Sequence, residues 1–207
     1  DIRSLMDIRF HLTYPDEYRN GIPMMADTDY INIPKDRTIT LKFVRLMSKI
    51  SIRMDRSQLS EDIQMNVCGI RIGNCPRSVS VFDESRARNS DDCFPLGFSK
   101  NGEECNVLNI MESTGLSYPI SLYMLENIQG KFSDIPISED SEKAFGDYDS
   151  RRETCSFIEL DIDYLSSDKA SKAGFLKYRF YLGEDRNDIS IERNCHYQIT
   201  VTPEDDG

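Results

Sequence analysis

Apolar and polar residues alternate along much of the chain with a period of two, as in strands that bury one face and solvate the other. Ile158, Leu160, Ile162 and Tyr164 alternate with Glu159, Asp161 and Asp163. Leu176, Tyr178, Phe180 and Leu182 alternate with Lys177, Arg179 and Tyr181; Cys195, Tyr197, Ile199 and Val201 alternate with His196, Gln198, Thr200 and Thr202. Turn-forming residues separate these three strands: Ser166-Ser167-Asp168 with Gly174, then Gly183-Glu184-Asp185-Arg186-Asn187-Asp188. Earlier, Ile39, Leu41 and Phe43 alternate, the phase slips, and Ile50, Ile52 and Met54 resume. A strand cannot change phase without a bulge or a break, so one is predicted within residues 44–48. A similar slip separates Ile63, Met65 and Val67 from Ile70 and Ile72. Val79 with Val81, and Ile120 with Leu122 and Met124, complete the set.

Helical patterning is thin. Residues 1–7 suit a short turn ahead of Ile8-Arg9-Phe10-His11-Leu12, and residues 139–150 are acidic without a 3.6-residue apolar stripe. The span 83–106 is polar, contains glycine, and reads as a long loop. Many short strands, Pro/Gly/Asn turns and little helix predict an all-β, antiparallel sandwich. The polar stretch 55–62 is a candidate boundary. Residues 1–55 are too short for an ordinary sandwich and read as a remnant or partial N-terminal one. Residues 56–207 read as a C-terminal β-sandwich ending in an acidic linker.

Composition narrows the function classes. With 25 Lys+Arg against 36 Asp+Glu the net charge is −11, and no basic run is long enough to track phosphates, so nucleic acid is not an expected partner. Hydrophobic residues make up 39% of the chain, and no apolar stretch approaches the roughly 20 residues that span a bilayer. The chain opens on Asp1-Ile2-Arg3 and closes on Thr202-Pro203-Glu204-Asp205-Asp206-Gly207, and the expectation is a piece of a longer protein. Six cysteines (Cys68, Cys75, Cys93, Cys105, Cys155, Cys195) allow 15 complete pairings; buried thiols with at most one bridge are expected. No C-x₂₋₄-C pair occurs and the only histidines, His11 and His196, are far apart, so no structural metal is expected.

The catalytic constellations fail on spacing. Cys195 and His196 are neighbours on a strand and point to opposite faces, so they cannot form a nucleophile–base pair; Cys195 is expected inward and His196 outward. Glu159, Asp161 and Asp163 share a strand face about 7 Å apart per step, a separation a glycosidase could use, but three acids on one face also describe a solvated face. Asp147-x-Asp149 and Asp161-x-Asp163 resemble the start of a calcium loop, yet the sixth and twelfth positions from Asp147 are Arg152 and Ile158 instead of Gly and Glu. No phosphate loop, nucleophile elbow or zinc-protease motif is present. The reading is non-catalytic: no catalytic, cofactor-binding or metal-binding residue is assigned, no cofactor is called for, and the ligand-binding residues stay open.

Three segments together resemble one family. Leu41-Lys42-Phe43-Val44-Arg45-Leu46-Met47-Ser48-Lys49-Ile50-Ser51-Ile52 resembles a Leu-x-Arg-x-x-Ala/Ser-Lys-Val/Ile-x-Val strand; Leu122 to Gly130, with Glu126-Asn127-Ile128-Gln129-Gly130, resembles Tyr-x-x-Glu-Asn-x-Gln-Gly. Tyr178 to Gly183 followed by Asp188 to Val201, with Arg193-Asn194-Cys195-His196-Tyr197, resembles a C-terminal hairpin of the same proteins, with Ile189 where Phe is usual. These are the motifs of the fimbrillin-like proteins that build type V pili on Bacteroides-type bacteria, and they run in order across roughly residues 38–202. From the residues themselves, Arg45 and Lys49 are expected at a strand bulge, paired with acids. Glu126-Asn127 with Gly130 reads as a turn, and Arg193-Asn194 as the residues that fix the last hairpin.

The resemblance implies two transthyretin-like β-sandwiches in tandem, the first incomplete here. It implies export to the cell surface, as part of a fimbrium at the outer membrane, and cell adhesion. Subunits of that family join by strand donation, so the implied partners are other pilus subunits, and an accessory, anchor or tip-type subunit is preferred over the stalk. Membrane attachment would be only through a lipid anchor lying outside this sequence. The alternative is a carbohydrate- or other ligand-binding sandwich at the cell surface, whose partner would be a host or bacterial surface glycan or protein.

Overall fold

The computed structural model describes residues 7–26, 38, 40–95, 97–131, 150–167, 173–185 and 187–204. The strands, in chain order, begin with β1 (Arg9–His11), β2 (Met24–Ala26), β3 (Phe43–Arg45), β4 (Met47–Met54), β5 (Ile63–Gly73), β6 (Cys75–Pro76) and β7 (Ser78–Ser80). They continue with β8 (Cys93–Phe94), β9 (Phe98–Asn101), β10 (Ile120–Leu125), β11 (Phe157–Ser166), β12 (Ala173–Tyr181) and β13 (His196–Val201). The fold is all-β. The two larger sheets have the orders β12-β11-β5-β9 and β10-β4-β13; β1-β7, β2-β3 and β6-β8 form short ribbons.

Both phase slips mark real irregularities. Along β5 the register against β11 shifts between Asp161 and Ile162, which pair with Gly69 and Val67 and leave Cys68 as the extra residue of a bulge. The bulge keeps Val67 on the same face as Ile70 and Ile72. At Leu46 the chain leaves one sheet for another. Phe43–Arg45 pairs with Met24–Ala26, while Met47–Met54 pairs with β10 and β13. Leu46 is buried and its N–H donates to the Pro23 carbonyl (2.9 Å), so the break is itself packed. Of the earlier alternating run, Ile39 lies outside the described residues, as do residues 1–6, most of 139–150, and Asp147 and Asp149.

The apolar faces of the two larger sheets supply one core. Ile50, Ile52 and Met54 of β4 with Leu122 and Met124 of β10 join Val67, Ile70 and Ile72 of β5 and Ile158, Leu160 and Ile162 of β11. Each such side chain, fully withdrawn from water, contributes about 1.5–3 kcal/mol relative to exposure. The core crosses the expected boundary at residue 55: β4, which precedes it, is the central strand between β10 and β13.

Other expectations are corrected. The span 83–106 is not one long loop. It holds β8, β9 and 3-10 turns at Ser90–Asp92 and Gly102–Leu108, and β9 pairs with β5. Gly97 has φ +58°, and a Cβ there would meet the Ile72 carbonyl oxygen at 1.6 Å, so only glycine turns the chain from β8 into β9. The sheets are not wholly antiparallel, because β13 runs parallel to β4. β12 and β13 do not form the expected hairpin: β12 pairs with β11, and the chain crosses to the other sheet before β13. All six cysteines are free thiols, four buried and two half-buried.

Candidate functional site

The motif residues meet in one buried polar lock at the start of β13. Arg193 donates to both carboxylate oxygens of buried Glu126 (2.8 and 2.6 Å) and to the carbonyls of Val81 (3.0 Å) and Asp83 (2.7 Å). The Asn127 side chain donates to the Thr154 carbonyl and the Ser156 hydroxyl, and accepts from the Ala87 N–H and the Gln129 amide. Its backbone exchanges two hydrogen bonds with Ile191. The expected turn at Glu126-Asn127 and Gly130 is not formed: the segment runs antiparallel to residues 188–191, with bridges Asn127–Ile191 and Lys131–Asp188, and Gly130 (φ +80°) donates its N–H to the Ser190 hydroxyl. Asn194, at φ +60°, accepts from the backbone N–H and guanidinium of Arg45. Arg45 therefore does not pair with an acid as expected, and among the described residues neither Arg45 nor Lys49 has a salt bridge. The lock carries no reacting group. Its effect is to fix where β13 begins.

β13 is an edge strand, and its geometry follows from two hydrogen bonds. The Lys49 N–H donates to the Cys195 carbonyl (3.0 Å) and the Asp55 N–H to the Val201 carbonyl (2.8 Å). In a parallel ladder alternate residues bond the same neighbour, so Tyr197, Ile199 and Val201 face β4, and the backbone groups of His196, Gln198 and Thr200 face away from it. Among the described residues no strand pairs with that outer edge, nor with the outer edge of β12. The apolar side chains here are only half-buried: Tyr197, Ile199 and Val201 on β13, and Leu176 and Phe180 on β12. A concavity of about 430 Å³ lies where the end of β12 approaches β13, lined by Leu182, Gly183, Glu192, Cys195, Tyr197 and Ile199 among others. On the opposite side the outer edges of β9 and β10 likewise have no strand partner among the described residues, but a side chain bridges them. There Tyr18, from the 3-10 turn Glu17–Asn20, packs on Phe98 of β9 and Tyr123 of β10 at centroid distances of 5.5 and 5.0 Å.

His196 is exposed and Cys195 half-buried on alternating sides, as expected. His196 Nε2 lies 2.8 Å from the Ser51 hydroxyl, which lies 2.9 Å from the Ser121 hydroxyl. This chain of groups lies on the polar face of β10-β4-β13, and none of its hydrogen bonds supplies a carboxylate to orient the imidazole. Burial pushes the Cys75 and Cys93 thiols up to about 12, which keeps them protonated and unreactive.

Glu159 departs most from its sequence reading. Alternation puts it on a solvated face, yet it is buried, because Arg71 and Arg179 stand directly opposite on the flanking strands. Arg71 and Arg179 donate to its carboxylate at 2.5 Å each, and Lys177 lies 3.3 Å away. Both guanidinium groups lie over the Phe157 ring, at 5.6 and 4.2 Å from its centroid. Burial alone would raise the Glu159 carboxyl, but these three cations hold it down at about 2. A carboxylate so neutralised cannot act as a glycosidase acid, which must carry a proton near neutral pH. Asp161 meets Lys177 at 3.4 Å. Among the described residues no group of three or more His, Cys, Asp or Glu side chains is placed to hold a metal ion.

Residues 122–201 match the model of a domain of unknown function, DUF4906. That stretch runs from β10 to β13 and contains both halves of the Glu126–Arg193 lock. No curated protein matches the chain. In fold the chain is similar to the crystal structure of a "putative cell adhesion protein" from Bacteroides eggerthii DSM 20697, with a TM-score of 0.57 and 11% identity. The similarity covers 99% of this chain and 62% of that one, so this chain spans less than two thirds of that protein's length.

The sequence singled out the lock residues through their motifs and missed the edge. Alternation along 195–201 reports which side chains face the core. It carries no signal for which backbone groups lack a partner.

Proposed function

We propose that the chain is a non-catalytic cell-surface subunit of the adhesion or fimbrial type that assembles by β-strand addition at the side bounded by β12 and β13. The observation that carries this reading is the unpaired β13 edge beside half-buried Tyr197, Ile199 and Val201. An incoming extended segment would gain backbone hydrogen bonds from His196, Gln198 and Thr200 and place alternate side chains against that apolar row. The lock at Arg193 and Glu126 presets the position of the edge, which lowers the ordering cost of pairing. Two further lines support it: the motif resemblance to fimbrillin-like proteins, and the shared fold with a protein whose name includes cell adhesion. On this reading the sandwich is transthyretin-like, exported to a fimbrium or the outer membrane, and its partners are other subunits.

The test uses a backbone change confined to the edge. Gln198→Pro removes one outward N–H and leaves the hydrogen bonds to β4 in place. The chain and this variant are run by size exclusion with light scattering, alone and mixed with extended peptides of alternating apolar residues. Complexes formed by the chain and by Gln198→Ala, but lost in Gln198→Pro, are expected. Equal complex formation by all three, or none by the unaltered chain, overturns the reading.

A further inference from the structure

A second surface stands apart from that edge. Burial alternates along residues 85–88: Ser85 and Ala87 are buried, Arg86 and Arg88 exposed, so both arginines leave the chain on the same side. The polar lock pins this segment from behind. The Ser85 N–H donates to Glu126 (2.8 Å), the Ala87 N–H to the Asn127 side chain (3.1 Å), and the Ala87 carbonyl accepts from Gln129 (2.8 Å). Among the described residues neither the Arg86 nor the Arg88 guanidinium has a hydrogen-bond or ion-pair partner. Arg9 of β1 joins them, its guanidinium held on the Ser78 hydroxyl at 3.0 Å. Together they line a concavity of about 480 Å³, with Glu84, Asp92 and Ile128. A smaller concavity of about 320 Å³ beside it again uses Arg86 and Arg88.

Three arginines gathered in one concavity, in a protein of net charge −11, need an explanation. We propose that this concavity binds an acidic glycan, a sugar chain bearing carboxylates of the uronic- or sialic-acid type. Guanidinium groups match a carboxylate in planar, two-pronged geometry, and two of these stand on a pinned backbone with their donors free. The lining also decides between anions. Glu84 and Asp92 would accept hydrogen bonds from the hydroxyls that every sugar ring carries and an acidic peptide lacks. A peptide would also want apolar anchors or a strand edge, and Ile128 is the one apolar residue of the lining. The volume suits a few sugar rings. The inference does not rest on strand addition, since the site shares no residue with β12 or β13.

The test is calorimetric titration of the full chain with trigalacturonate and with sialyllactose, which separate the two carboxylate sources. Methyl-esterified trigalacturonate, lactose and tetraglutamate are the comparisons. Binding of at least one acidic sugar with Kd below about 1 mM, and no binding of its neutral counterpart, is expected. Arg86→Gln and Arg88→Gln should each weaken it about tenfold or more, and added salt should weaken it further. Lys42→Gln, an exposed charge change elsewhere, should leave it unchanged, as should Gln198→Pro; melting curves confirm that every variant is folded. Equal binding of neutral sugars, stronger binding of tetraglutamate, an equal loss in Lys42→Gln, or no binding of either acidic sugar overturns the proposal.

Discussion

Replacing Glu159 by Gln keeps the shape of the side chain and removes one charge that three cations share. Arg71, Arg179 and Lys177 all reach that carboxylate, and its side chain is 3% exposed. The carboxyl falls from 4.5 to about 2 on folding, against the upward push of burial. At ~1.4 kcal/mol per pH unit that drop corresponds to about 3 kcal/mol of folding stability. Arg179 and Lys177 are about half exposed and share their charge with water, so about 2 kcal/mol is the better expectation. The folded value is depressed, so this stability is fully present above the unfolded value of 4.5 and is lost as pH falls toward 2. Urea unfolding of the chain and of Glu159→Gln measures the difference at pH 7 and again at pH 3. We expect about 2 kcal/mol at pH 7, shrinking to less than about half of that at pH 3. A difference independent of pH, or one below about 0.5 kcal/mol at pH 7, would show that the cluster behaves as an exposed ion pair and would refute the reasoning.

Two further substitutions probe the framework. In Gly73→Ala the added Cβ would fall 2.0 Å from the Phe157 ring, which must move; a loss of about 1–3 kcal/mol is expected by thermal unfolding, largely relieved in the Gly73→Ala/Phe157→Leu double variant. Equal losses with and without the ring would show that the contact is not the cause. Arg193→Ala strands buried Glu126 without its partner and should cost about 3–5 kcal/mol in urea unfolding. Arg193→Lys should recover less than half of that, because an ammonium cannot reach Glu126, Val81 and Asp83 together. Full recovery by Lys would reduce the lock to a simple charge pair.

Local features were legible in the sequence because side-chain alternation records them. The slip after Val67 became the bulge at Cys68, and the slip after Phe43 became the sheet switch at Leu46. What failed to show was pairing between distant segments. β4 lies about 150 residues before its parallel partner β13, and nothing in either strand's pattern names the other. For the same reason Glu159 read as solvated: its own strand gives the face, but its burial depends on Arg71 and Arg179 standing opposite in register. Residues 83–106 looked like loop because β8 has two residues, too few for any period, and β9 has four. The motif residues Arg45, Glu126, Asn127, Arg193 and Asn194 were visible one by one. Their convergence on a single lock was visible only in three dimensions.

Hydrogen exchange resolved at single residues along β13 tests strand addition most directly. In the isolated chain the account predicts slow exchange at Tyr197, Ile199 and Val201, whose amides face β4, and fast exchange at His196, Gln198 and Thr200. With a saturating extended peptide of alternating apolar residues, the second set should slow by about 100-fold while the first changes little. Slow exchange of all six in the isolated chain, or an unchanged fast set under saturating peptide, would contradict it.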